Sequence, residues 1–296
     1  MKKLVGILVA LLLLFGSAQS MVIYAQDPFP AQGESLANDM VYPSQEELRA
    51  MAEHQEIMNR LRGAAADLPD RDGDGIPDDW EINGIDYDGD GIIDLPLHLM
   101  GADPDVPDIY MEIDWMEGLH DKTGMRMVNG TYVTLSEQDY LDVTAEEFRK
   151  HGINLHIDFG PESVDYVTGT KWKDYPSGSG DAGGSGGNSL PYFTEPAWPQ
   201  MYTWYDTQMS PGRRPIFHYF ALVVNTDVGA GGRAVVGGKY GMINYTSAFM
   251  HELGHNLYLG HGGPVQSAYD HNYKVNYFSV MNYMTRNFTP KPAVYR

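Results

Sequence analysis

One stretch of thirteen residues constrains this chain more than any other: Phe249-Met250-His251-Glu252-Leu253-Gly254-His255-Asn256-Leu257-Tyr258-Leu259-Gly260-His261. His251 and His255 are four residues apart, so on a helix they project from one face, one turn above the other. Two imidazoles held that way can bind one zinc ion at about 2.0–2.1 Å. Glu252 lies about 100° round the same helix, beside the metal but not on it. A general base stands there to take a proton from zinc-bound water. His261 comes just past Gly260 and can swing back as the third ligand. Three protein ligands and one open position make a catalytic zinc site rather than a closed structural one. The competing reading is a chance match whose histidines are ordinary core residues. The third His, and Ser279-Val280-Met281-Asn282-Tyr283 further on, weigh against it.

Together these motifs resemble the metzincin metallopeptidases, over roughly Asp108 to Tyr283. The resemblance implies an α/β (α+β) catalytic domain with a mixed twisted sheet and an active-site helix. It implies His251, His255 and His261 as zinc ligands, Glu252 as general base, and Met281 beneath the metal as the Met-turn residue. In astacins and serralysins a Tyr two places after that Met reaches the metal. Tyr283 stands there, which makes it either a further ligand or an oxyanion donor. One position departs from the pattern. The family has Gly three residues after the second His; here that place is Tyr258, and the Gly falls at Gly260. A bulky residue in a left-handed conformation costs roughly 1–2 kcal/mol. Either Tyr258 bears that strain or the helix runs on and turns at Gly260. In the second case His271 or Asp270 becomes the alternative third ligand. No Glu follows Glu252, so a downstream Glu is excluded from that role.

The net charge of −20 argues against nucleic acid as a partner, because phosphates would be repelled. Much of it is local. Asp70 to Asp94 holds ten acids and one Arg. In Asp70-Arg71-Asp72-Gly73-Asp74-Gly75-Ile76-Pro77-Asp78-Asp79-Trp80-Glu81, the residues Asp70, Asp72 and Asp74 take positions 1, 3 and 5 of a calcium loop. Asp78 takes position 9 and Glu81 position 12. Alternate spacing lets successive carboxylates curl round one hard cation. A second run repeats the pattern with Asp86, Asp88, Asp90 and Asp94, but Leu97 stands where the twelfth ligand would be. A solvated acidic turn is the bland alternative. The pair resembles thrombospondin type 3 repeats, which implies calcium as a second cofactor. The chain has no Cys, so calcium would take the place of a disulfide in ordering a segment with little core.

Lys2-Lys3 followed by an apolar run to Ala18 reads as a secretory signal within 1–26, with an uncleaved membrane anchor as the alternative. Segment 27–66 carries a capping box at Ser44-Gln45-Glu46-Glu47 and a helix to about Gly63, either packed on the catalytic domain or removable as a pro-segment. Residues 67–106 are the acidic repeats and 107–296 the catalytic domain. Within it, Ile109 to Met116 alternates like a half-buried strand, Leu135 to His151 is a helix, and Ile153 to Phe159 is a second strand, paired in parallel with the first. Ser177 to Gly187 reads as a flexible Gly/Ser loop. The aromatic-rich Trp198 to Met209 reads as a short helix, best explained by core packing. Ile216 to Val224 is a buried strand whose His218 is a core residue. Gly232 to Gly238 suits an edge strand able to take an extended peptide.

The expectation is a secreted zinc-dependent endopeptidase acting on protein or peptide substrates, with membrane contact only if the N-terminal segment stays uncleaved. The first alternative is a calcium-dependent extracellular binding or adhesion protein with an inactive zincin domain. The second is a zinc amidase acting on a non-protein amide. An intact Glu252 favours an enzyme, since a purely structural metal site has no use for it.

Overall fold

The computed structural model describes residues 40–41, 45, 48–49, 52, 68–119, 124–128, 131–135, 137–176, 186–226, 231–244, 248–264 and 279–281. The signal segment, Tyr283, His271 and Asp270 lie outside the described residues. So does most of the helix expected after Ser44, of which Gln45, Leu48, Arg49 and Ala52 are helical and exposed. No helix among the described residues is long and apolar enough to cross a membrane.

The chain is mixed α/β. The acidic segment contributes one short helix, α1 (Asp78–Asn83), with Trp80 and Glu81 buried. The rest is built on a mixed sheet whose longest strand is β2 (Asp108–Met116). All of β2 except Trp115 is buried, which corrects the half-buried reading. The alternation is real, but its polar positions face buried partners rather than water. Asp108 pairs with His156, with Oδ1 2.9 Å from Nε2. Glu112 accepts a hydrogen bond from Arg213 Nη1 at 2.8 Å. Asp114 accepts from the Tyr219 hydroxyl at 3.0 Å and from the Asn188 amide at 2.7 Å. Buried polar groups are tolerated only when paired in this way.

After β2 come an unanticipated hairpin, β3 (Gly124–Val128) with β4 (Thr131–Leu135), then helix α2 (Glu137–Lys150) and strand β5 (Asn154–Asp158). Leu141, Ala145 and Phe148 form the buried stripe of α2, and Gly152, at φ 75°, ends the turn that follows. β5 pairs with β2 in parallel, Asp108 opposite Asn154, as the strand–helix–strand pattern requires. Ser177 to Ser185 lies outside the described residues. The glycines that close this loop are packed tightly: Gly187 donates to the Ile113 carbonyl at 2.8 Å, and a methyl on Gly186 would meet Glu112 Cγ at 3.1 Å. Strand β6 (Ser189–Leu190) then joins the far end of β2.

The aromatic stretch forms a 3-10 turn (Trp198–Gln200) and helix α3 (Met201–Gln208). It is core packing: the Tyr205 and Tyr240 rings lie 5.3 Å apart. Strand β7 (His218–Leu222) is wholly buried and parallel to β2. Gly232 to Gly238 is shorter as a strand than expected. It divides into β8 (Gly232–Val235) and a turn, which leads to β9 (Tyr240–Ile243), antiparallel to β8 and wedged between it and β7. Nor is β8 a free edge at its end, because β1 (Met40–Val41) pairs in parallel with Ala234 and Val235. A peptide added at that flank would have to displace β1.

Candidate metal centres

Helix α4 (Phe249–Asn256) is buried at every residue. An eight-residue helix with no wet face draws its stability from packing rather than propensity. It lies on β8 and β9, with the Phe249 ring edge-on to Phe220 at 5.7 Å. Its end is fixed from within. Asn256 donates to the carbonyls of Val235 at 2.8 Å and Tyr240 at 3.1 Å, and His218 Nδ1 lies 3.2 Å from Asn256 Oδ1. His218 thus supports the helix end and is not one of the grouped histidines.

The helix ends at Asn256, one residue past the second His, and Tyr258 bears the left-handed conformation, at φ 66°. The His255 carbonyl accepts both the Tyr258 amide at 3.0 Å and the Gly237 amide at 2.9 Å, closing the turn. The Tyr258 ring covers Gly237, where a methyl would strike it. The chain then makes a small hairpin of β10 (Leu259–Gly260) and β11 (Gly263–Pro264), Gly260 opposite Gly263. His261 and Gly262 form its two-residue tip.

That tip returns His261 to the helix. One ring nitrogen from each of His251, His255 and His261 lies within 4.8 Å of the others, and all three residues are buried. Ring centroids are 4.8, 5.3 and 5.0 Å apart. His251 Nδ1 is 2.8 Å from the Val280 carbonyl and His255 Nδ1 is 2.7 Å from the Leu259 carbonyl. A carbonyl only accepts, so each Nδ1 carries a proton, and in the neutral imidazole each Nε2 then keeps its lone pair. Backbone orientation of the second nitrogen is the usual support of a metal-binding imidazole. The set can hold a metal ion.

Two glycines make room around this centre, and neither role is written in the motif. A methyl on Gly232, the first residue of β8, would meet Glu252 Cγ at 2.5 Å and Oε1 at 2.7 Å. The strand therefore runs directly against the carboxyl of Glu252, which is 0% exposed. A methyl on Gly254 would collide with the sulfur of Met281, itself fully buried. Met281 thus packs against α4 at Gly254.

The acidic runs fold into two loops with the same local bonding. Asp70 and Asp86 each accept the amide three residues on, from Gly73 and Gly89, both at 2.7 Å. Asp72, Asp74, Asp88 and Asp90 each accept the amide two residues on. Carboxylate groupings able to hold a cation are Asp70–Asp72–Asp74, Asp74–Glu81–Asp108 and Asp86–Asp88–Asp90. Asp78 and Asp94 stand outside them. Asp78 accepts Arg71 Nε at 2.8 Å and the Arg71 amide at 2.9 Å, while Asp94 accepts the Tyr87 amide at 2.7 Å. Asp108 lies beyond both repeats, so the sequence pattern did not include it. Burial first, then neighbouring carboxylates, pushes Asp74 up to about 7 and Glu81 to about 9. A cation among them would favour the ionised forms again.

Comparisons with protein-family models, with curated proteins and with solved structures find no match to this chain.

Proposed function

We propose that this chain is a secreted zinc-dependent endopeptidase with a zincin-type catalytic domain, preceded by a segment that calcium orders. The observation that carries the reading is the convergence of three imidazole nitrogens from one helix and its return turn, with the Glu252 carboxyl buried on the same helix. Three neutral nitrogen donors with a position left open suit zinc. A zinc ion held there by His251, His255 and His261 would supply a Lewis acid that acidifies water and polarises a carbonyl. Glu252 takes the proton of the attacking water and passes it to the leaving amine. β8, against which Glu252 packs, holds that carboxyl in place, and Met281 supports the helix from beneath. Tyr283 is the candidate oxyanion donor. Calcium suits the acidic loops because it takes six or more oxygen ligands and is millimolar outside cells.

Treating the protein with a zinc chelator should abolish its cleavage of unfolded casein, and zinc, but not calcium, should restore it. Cleavage that survives complete removal of zinc would refute the reading.

A further inference from the structure

We propose that Asp108, the first residue of β2, ligates a calcium ion together with Asp74 and Glu81, fastening the acidic segment to the longest strand of the sheet. This rests on the calcium reading above and goes beyond it, since Asp108 belongs to neither repeat. One carboxylate oxygen from each residue lies within 4.8 Å of the others, and the three side chains are buried, at 8%, 1% and 3% exposure for Asp74, Glu81 and Asp108.

Glu81 points to a ligand independently of the grouping. Both its oxygens are buried and neither accepts a hydrogen bond. A carboxylate sealed among two others needs a counter-charge. A proton would neutralise only one of the three, whereas a hard dication offsets two of the three charges and takes an oxygen from each carboxylate. The surrounding bonds fix the other two. Asp74 Oδ2 accepts the Asp108 amide at 2.7 Å, binding loop to strand across 34 positions of sequence. Asp108 Oδ2 accepts the Asp103 amide at 2.8 Å, and its Oδ1 lies against His156, whose other nitrogen is 2.9 Å from Asp165. Such an outer layer orients metal-binding carboxylates elsewhere.

Calcium titration by calorimetry on the parent, Asp108→Asn and Glu81→Gln tests this, with circular dichroism confirming that each variant folds. Both variants should weaken one calcium equivalent by at least about tenfold and leave the second loop's equivalent unchanged. Should Asp108→Asn fail to fold, hydrogen exchange on the parent decides instead. Added calcium should then slow the amides around Asp103 and Asp108 as well as those of the first loop. If the parent binds calcium but Asp108→Asn binds it equally well, or if protection stops short of Asp103, the Asp108 assignment is overturned and the calcium reading stands. If the parent binds no calcium at millimolar concentration, the calcium reading itself fails and takes this assignment with it.

Discussion

The histidine centre and the first acidic loop gather their candidate ligands by opposite means. All three imidazoles come from one short stretch, His251 to His261, and the scaffold beneath only fixes their angles. The first acidic loop instead draws on Glu81 in α1 and on Asp108 at the head of the sheet. The second loop sharpens the contrast. Its carboxylates repeat the hydrogen bonds of the first almost residue for residue, yet Asp88 and Asp90 are exposed while Asp74 is buried. The residues after each loop account for the difference. A buried carboxylate, Glu81, comes after the first and lies with Asp74 and Asp108; after the second, Leu97 is buried as well but brings no side-chain oxygen. A repeated motif thus reproduces its local backbone, and only the residues beyond it decide whether it docks.

Breaking the compact centre should have the largest effect. His255→Ala removes one of the three proposed zinc ligands, and we expect zinc content and casein cleavage both to fall below detection. Gly232→Ala tests the strand against Glu252 and leaves the imidazoles alone. The added methyl must displace the carboxyl, so zinc should stay bound while kcat falls on the order of a hundredfold, as about 1 Å of misplacement typically costs.

The two loops can be set against each other by melting in calcium. Asp74→Asn, at the docked loop, should lower the melting temperature by about 5–10 °C, the equivalent of a few kcal/mol of linked binding. Asp90→Asn, at the exposed loop, should lower it by less than half as much. Equal shifts would mean that docking adds nothing. The smallest effect is expected at Tyr258→Val. A β-branched residue tolerates the left-handed conformation worse than Tyr does, and urea unfolding should register a loss of about 1–2 kcal/mol.

Legibility in the sequence divides along the same line. Spacings of four and six residues are local, and a helix with a tight return turn is enough to bring His251, His255 and His261 together. The calcium-type pattern likewise prescribes its own backbone. Contacts between distant segments carry no such signal. Nothing around Gly232 says that its missing side chain makes room for Glu252, and nothing around Asp108 says that Glu81 lies beside it. The alternation in β2 was visible, but whether Asp108, Glu112 and Asp114 meet water or partners depends on His156, Arg213 and Tyr219, which other strands and turns supply. β9 is not legible because Tyr240-Gly241-Met242-Ile243 is short, contains a Gly and is made a strand by its neighbours on both sides. Tyr258 sets pattern against propensity in the sequence, and the bonds to the His255 carbonyl decide it in favour of the turn.

The most direct test of the central claim joins zinc stoichiometry to peptide-bond cleavage in Glu252→Gln. The parent should bind one zinc at this centre and cleave, while the variant should bind the same equivalent and lose about 100- to 10,000-fold in kcat. A Glu252→Gln protein that cleaves as fast as the parent, or a zinc-loaded parent that cleaves no peptide bond, would contradict the account.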